Sequence, residues 1–278
     1  MKNILSLVEC NKDFVDKVIA VAMQMRKVVL SNYKKSPHLA GSVLCGVWNR
    51  ADWRSAAFSL AAAYMSGTSQ EVIAADDVME QLMALDAMGA NDVVVSNGED
   101  HLIRAFAQKA KCNVINGGSS SFDPVGVLAD LAALSVKTDG LKGISVLVVG
   151  NKKVNKMAEL THALGLYNSS VVWCLPPDDV ATVRRGIVID NPSAAFVGAD
   201  AVIDIGLNAY CNAELYYGHS AGIPQELMKK ARVNAPLLGT RNVVCNGAVV
   251  EYLGNIVSEM HTCYVSVVMA LLYLLHRG

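Results

Sequence analysis

The sequence predicts an α/β protein built from two doubly wound parallel-sheet domains joined by a helix. Three observations predict it. Short apolar runs suited to buried strands alternate with segments whose apolar residues recur at helical spacing, and strands separated by helices pair in parallel with both faces covered. The alternation runs once to Asn116, breaks at Pro124 and restarts beyond it. The 278 residues suit two units of about 140 each, and a hydrophobic content of 53% supplies a core for both. The expected domains are 1–124 and 125–278.

Taken in order, Asp13 is placed to cap a first helix, along which Val15, Val18, Ile19, Ala22 and Met25 recur on one face until about Lys27. Residues 31–42 form a polar loop around Pro37. Residues 43–48 are a short apolar strand, and 54–65 a helix of small residues closed by Ser66-Gly67-Thr68. A helix over 77–88, a buried strand over 92–95, a helix over 101–110 and a strand over 113–116 complete the first half. The second half begins with a helix over 125–136 and a turn over 138–143. Strands follow at 144–149, 170–175, 201–205 and 243–245, with helices at 154–164, 178–186, 224–231 and about 258–275.

Composition narrows the function. A formal net charge of −1 gives no general attraction to nucleic acid or to an anionic membrane. The 7 cysteines are odd in number, scattered and free of any C-x-x-C pair, which points to reduced thiols in the cytoplasm rather than disulfides or a zinc site. No cleavable targeting segment is expected, since a helix follows the first residues at once. The longest apolar run, Tyr264 to Leu275, falls short of the roughly 20 residues a bilayer crossing needs, and reads as a buried helix. The turn at Gly150 lacks the G-x-G-x-x-G spacing of a dinucleotide site, so Lys152, Lys153 and Lys156 read as a solvated face.

Several stretches carry a family likeness. Asn113-Val-Ile-Asn-Gly-Gly…Asp123-Pro-Val-Gly126 and Leu141-Lys-Gly-Ile-Ser-Val-Leu-Val-Val-Gly150 resemble the joint between the two domains of ornithine and aspartate carbamoyltransferases. Gly89 to Val95 resembles the family's third strand. Asn191 to Ile205 is similar to its D-P-x-E-A-V-x-G-A-D segment, Gln225 to Ala231 to the helix after it, and His261 to Leu275 to its closing helix. The resemblance covers nearly the whole chain. It implies a carbamoyl-phosphate-binding N-terminal domain, an amino-acid-binding C-terminal domain, and a last helix that packs back on the N-terminal domain. It further implies a trimer and a reaction that needs no metal or cofactor.

The residues that carry the family's chemistry are a different matter. The phosphate site normally comes from a Ser-Thr-Arg-Thr-Arg run at a helix N-terminus, where backbone N–H groups, hydroxyls and a guanidinium hold the anion. Aligned with it are Ala51, Asp52, Trp53, Arg54 and Ser55. Aspartate at that mouth repels phosphate, and losing a desolvated charge partner costs about 2–5 kcal/mol in comparable settings. In one reading Arg50 or Arg54 swings in and Ser55 donates. In the other, Asp52 caps the helix and both arginines are solvated. In the His-Pro-x-Gln signature the histidine is Asp123 and the glutamine Gly126. An ionised carboxylate cannot donate to a carbamoyl oxygen, and Asp123 is placed instead to cap the helix that follows.

On the amino-acid side, Asn155 stands for the asparagine that holds the substrate α-carboxylate. Asp204 stands for the aspartate that receives the α-amino group, and Cys245 for the cysteine of an H-C-L-P motif whose other letters are gone. Asp204 reads equally as a loop cap, and a lone cysteine as a small hydrophobe. His162 and His261 have no partner close in sequence. Trp173-Cys-Leu-Pro-Pro177 matches the H-C-L-P letters at the wrong strand.

Two readings follow. The first is a family member that has lost its carbamoyl phosphate and catalytic motifs, with an assembly, regulatory or ligand-sensing role in a homotrimer or in a mixed trimer with an active paralogue. The second is a divergent active carbamoyltransferase that uses ornithine, aspartate or a related amino acid. Neither calls for a metal, a cofactor, nucleic acid or a membrane.

Overall fold

The computed structural model describes residues 2–96, 98–151, 154–176, 187–207, 222–239, 242–246 and 248–277. They divide into two compact units, residues 1–132 with 261–278, and residues 133–260.

The first unit is built on a parallel sheet of five strands. In chain order they are β1 (Asn3–Ile4), β2 (Val43–Trp48), β3 (Thr68–Ile73), β4 (Asp92–Ser96) and β5 (Asn113–Asn116), arranged β1-β5-β4-β2-β3. Its helices are α1 (Lys12–Leu30), α2 (Trp53–Tyr64), α3 (Val78–Ala87), α4 (Asp100–Lys109) and the start of α5 (Pro124–Lys137), and the C-terminal helix α9 (Val257–Arg277) joins them. One core forms where Val93, Val95 and Val114 meet Leu82, Ile103 and Phe106. Elsewhere Phe58 of α2 sits 5.5 Å from the Trp48 ring and 6.4 Å from that of Tyr264 on α9. Fully burying a side chain such as Phe58 contributes about 1.5–3 kcal/mol.

Several sequence expectations need correcting here. The cap of α1 is Asn11, whose side chain accepts from the Phe14 amide at 3.0 Å, and Asp13 lies within the first turn. Strand β3 was not foreseen. It is an edge strand reading Thr-Ser-Gln-Glu-Val-Ile, largely exposed, so it lacks the apolar run that marks its neighbours. The division between the two compact units falls inside α5, near residue 132. Residues 125–134 of α5 are buried on every side, so no face marks the helix as belonging to one unit. Helix α9 is long and apolar enough to cross a membrane by length and composition. Its Tyr264, Val267, Val268, Leu271 and Leu272 are buried, as in a core helix.

The second unit holds a parallel sheet ordered β11-β9-β6-β7-β8. Its strands are β6 (Ser145–Gly150), β7 (Ser170–Cys174), β8 (Ile187–Ile189), β9 (Ala201–Gly206) and β11 (Leu237–Gly239). A smaller sheet pairs β10 (Gly222–Pro224) parallel to β12 (Asn242–Cys245), which turns back antiparallel into β13 (Ala248–Val250). Helices α6 (Met157–Gly165), α7 (Pro192–Ala195) and α8 (Gln225–Met228) fill the connections. Leu147, Val149, Phe196, Val202 and Leu237 form the core. The helix expected over 178–186 lies outside the described residues, and the one expected over 224–231 is the single turn α8.

Candidate functional site

In the first unit, β2 is the point from which connections leave in opposite directions: β3 lies on one side, β4 and β5 on the other. Crevices at the carboxyl ends of strands beside such a reversal are the usual ligand sites of open α/β sheets. Helix α2 starts after β2, Ser96 closes β4, and Gly118 and Asp123 follow β5. Residues 51–55 therefore arrive at that place.

Asp52 caps α2. Its Oδ1 accepts from the Arg54 amide at 2.8 Å, while Ser55 Oγ accepts from the Asp52 amide at 3.3 Å and donates to the Asp52 carbonyl at 2.8 Å. This capping box satisfies donors that a helix start otherwise leaves unmet. Ala51 is exposed, as is Arg50. The Trp53 ring lies edge-on to His261 at 4.8 Å and to Tyr264 at 4.9 Å, and is 40% exposed. His261 thus has an aromatic neighbour that is remote in sequence.

Arg54 is half-buried, where the capping reading expects it solvated. Burial opposes its charge, yet the charge of Asp123, followed by those of Asp52 and Asp130, outweighs that and holds its guanidinium above the ordinary arginine value. The guanidinium carbon also stands 5.8 Å over the Trp53 ring. Asp123 caps α5, its Oδ1 accepting from the Gly126 amide at 3.0 Å, and is 1% exposed. A Cβ on Gly126 would lie 2.3 Å from Asp123 Oδ2 and 2.6 Å from its Cγ. Positions 123 and 126 are therefore coupled: with the Asp123 carboxylate in this place, a side chain at 126 would clash with it.

Gly118 marks where the polar groups converge. A Cβ there would meet Arg54 Nη1 at 3.2 Å, Ser96 Oγ at 3.8 Å and Asp123 Oδ1 at 3.9 Å. Its φ of +123° suits glycine alone. The loop is fixed by Asn116, whose side chain accepts from the Gly118 amide at 2.9 Å and donates to the Leu5 carbonyl and Ser119 Oγ, both at 3.0 Å. Tyr264 is 1% exposed, and among the described residues nothing hydrogen-bonds its hydroxyl. Burial first, then the charge of Asp123, raises that phenol far above its usual value.

Ser96, Gly118, Asp130 and Tyr264 were missed from sequence. Asp130 left a trace, because it is a lone charge in the apolar run Val127-Leu-Ala-Asp-Leu131 and is 2% exposed. The others carry no local signal; the fold alone brings them together.

In the second unit, Asp204 on β9 pairs in register with Val149 of β6, and its Oδ1 accepts from the Gly206 amide at 2.8 Å, which is the capping role. Asn155 lies in a short turn after β6, and Cys245 ends β12 in the other sheet. Lys156 is buried at 7% exposure, not part of a solvated face; Lys152 and Lys153 lie outside the described residues. Among the described residues no cluster of three or more His, Cys, Asp or Glu could hold a metal.

Residues 2–135 match the family model for the carbamoyl-P binding domain of aspartate/ornithine carbamoyltransferases. The aspartate carbamoyltransferase catalytic subunit of Acetivibrio thermocellus is 25% identical over 304 aligned positions that span 99% of this chain and 96% of that protein. By this match and this relative, the chain is similar to the aspartate/ornithine carbamoyltransferases. The catalytic subunit from Carboxydothermus hydrogenoformans is 24% identical, with 100% of this chain and 96% of the relative aligned. The carbamoyltransferase fold is equally clear. Ornithine carbamoyltransferase from Pyrococcus furiosus superposes with a TM-score of 0.84 at 18% identity, over 100% of this chain and 97% of that one. The catalytic subunit of M. jannaschii aspartate transcarbamoylase gives 0.80 at 16% identity, over 99% and 98%.

Proposed function

We propose that this chain is a carbamoyltransferase-family member that does not use carbamoyl phosphate, and serves as an assembly, regulatory or ligand-sensing subunit in a cytoplasmic homotrimer or mixed trimer. The observation that carries the reading is the setting of Arg54, which lies under the charge of three aspartates, Asp52, Asp123 and Asp130. An incoming phosphate dianion would meet Asp123 directly and the other two from farther off. Two like charges about 4 Å apart repel by roughly 4 kcal/mol at an effective dielectric near 20, so each close carboxylate weighs heavily against it. Asp123 also presents an acceptor where polarising a carbamoyl oxygen calls for a donor.

A second reading, a divergent active carbamoyltransferase acting on ornithine, aspartate or a relative, is favoured by the relatives. Those aligned over 96% of their length are named catalytic subunits. On the comparisons alone this is the better supported of the two; the side chains at 52, 123 and 126 support the first. The test is product formation from carbamoyl phosphate with ornithine or aspartate, read as released phosphate and as carbamoyl amino acid by mass spectrometry. The first reading expects none above the blank at any substrate level. Product that disappears in Arg54→Ala would establish the second. Co-purification with an active family member would select the subunit role over that of a stand-alone sensor.

A further inference from the structure

We propose that Asp123 is the charge selector of the Arg54 site: its carboxylate serves as the resident counter-anion of Arg54, and removing that one charge opens the site to inorganic phosphate. The inference rests on the reading that the unaltered chain does not use carbamoyl phosphate.

The argument is geometric. Arg54 Nη1, Ser96 Oγ and Asp123 Oδ1 all lie within 4 Å of one point above Gly118, at 3.2, 3.8 and 3.9 Å. The first two are donors suited to an oxyanion, and the third is an oxyanion already present. Nearby, the Tyr264 ring packs against Trp53, the neighbour of Arg54, and no described residue hydrogen-bonds its buried hydroxyl. Of these three groups Asp123 is the one whose chemistry opposes a bound anion. Asp52 and Asp130 act on Arg54 from farther along, at the cap of α2 and two turns into α5.

The capping role of Asp123 is separable from its charge. Asp123 holds the Gly126 amide as a helix cap, a role asparagine and serine fill as well as aspartate does. Asp123→Asn keeps the cap and the shape while it deletes the charge. The anion site would then consist of the Arg54 guanidinium and Ser96 Oγ beside Gly118.

The experiment titrates sodium phosphate into the full chain by calorimetry, with sodium chloride at matched ionic strength as the blank, because exposed charges respond to salt alone. Unaltered protein is expected to give no saturable heat up to about 20 mM, and Asp123→Asn to bind at least about tenfold tighter, the factor that 1.4 kcal/mol represents. Adding Arg54→Gln to Asp123→Asn should abolish the gain. If Asp123→Asn does not fold, as judged by circular dichroism, Asp123→Ser makes the same test with a shorter cap. Phosphate binding by the unaltered chain would sink both this inference and the reading beneath it. Silence from the unaltered chain and from the folded variants alike would overturn this inference alone.

Discussion

Replacing Gly126 by alanine offers a sharp test of the coupling between Asp123 and the helix it caps. In an ordinary helix interior, Gly→Ala is favourable by about 0.8–1.0 kcal/mol. Here the new Cβ would sit 2.3 Å from Asp123 Oδ2, 2.6 Å from Cγ and 2.7 Å from Oδ1. Asp123 is 1% exposed, so the carboxylate has little room to retreat. Moving it forfeits a cap worth about 0.5–2 kcal/mol, and squeezing it costs about 1–3 kcal/mol in overpacking. The net expectation is destabilisation by about 1–3 kcal/mol. With Asp123→Ser in place the obstruction is gone, so Gly126→Ala should be neutral or stabilising. The assay is a double-mutant cycle from urea unfolding, read by circular dichroism with both transitions fitted, since two units need not unfold together. A coupling energy of about 2 kcal/mol is expected, well above the roughly 0.5 kcal/mol seen for independent sites. Additive single-mutant effects would refute the claim that positions 123 and 126 are coupled.

Other outcomes follow from the same contacts. Asp52→Ala should lower stability by about 1–2 kcal/mol, while Asp52→Asn, which keeps the accepting oxygen, should stay within about 0.5 kcal/mol, both by thermal melting. Cys112 is buried, and burial followed by the nearby Asp86 charge pushes its thiol up to about 12. Iodoacetamide at neutral pH should therefore leave it unmodified in the folded chain, and among the described cysteines peptide mass spectrometry should find label first at half-buried Cys10 or Cys245. Burial raises the Asp86 carboxyl, but hydrogen bonds from the Cys112 and Lys111 amides outweigh this and hold it below its usual range. A depressed carboxyl adds stability that is complete above its unfolded value and lost as pH falls through the folded one. The unfolded value is near 3.9, so Asp86→Asn should flatten the acid limb of the stability profile below about pH 4 and leave the neutral region's slope unchanged.

How much of this was legible in the sequence depended on whether the signal was local. Strands β2, β4, β5, β6 and β9 announced themselves as apolar runs because both their faces are covered. Strand β3 hid because an edge strand has no need of such a run. The caps at Asp52 and Asp123 were readable, since a short polar side chain before a helix has few other uses there. The fate of Arg54 was not. Whether an arginine is solvated or enclosed depends on Ser96, Gly118, Asp130 and Tyr264, which come from four separate segments. The coupling of Asp123 to Gly126 lay in plain view as a spacing of three residues. It gained meaning only once the Cβ position showed that alanine would not fit.

The most direct test of the account is a calorimetric titration of the unaltered chain with carbamoyl phosphate. If Asp52, Asp123 and Asp130 turn the Arg54 site away from dianions, no saturable heat should appear up to about 5 mM, short of any affinity a substrate site would show. One-site binding with a micromolar dissociation constant, lost in Arg54→Ala, would contradict it.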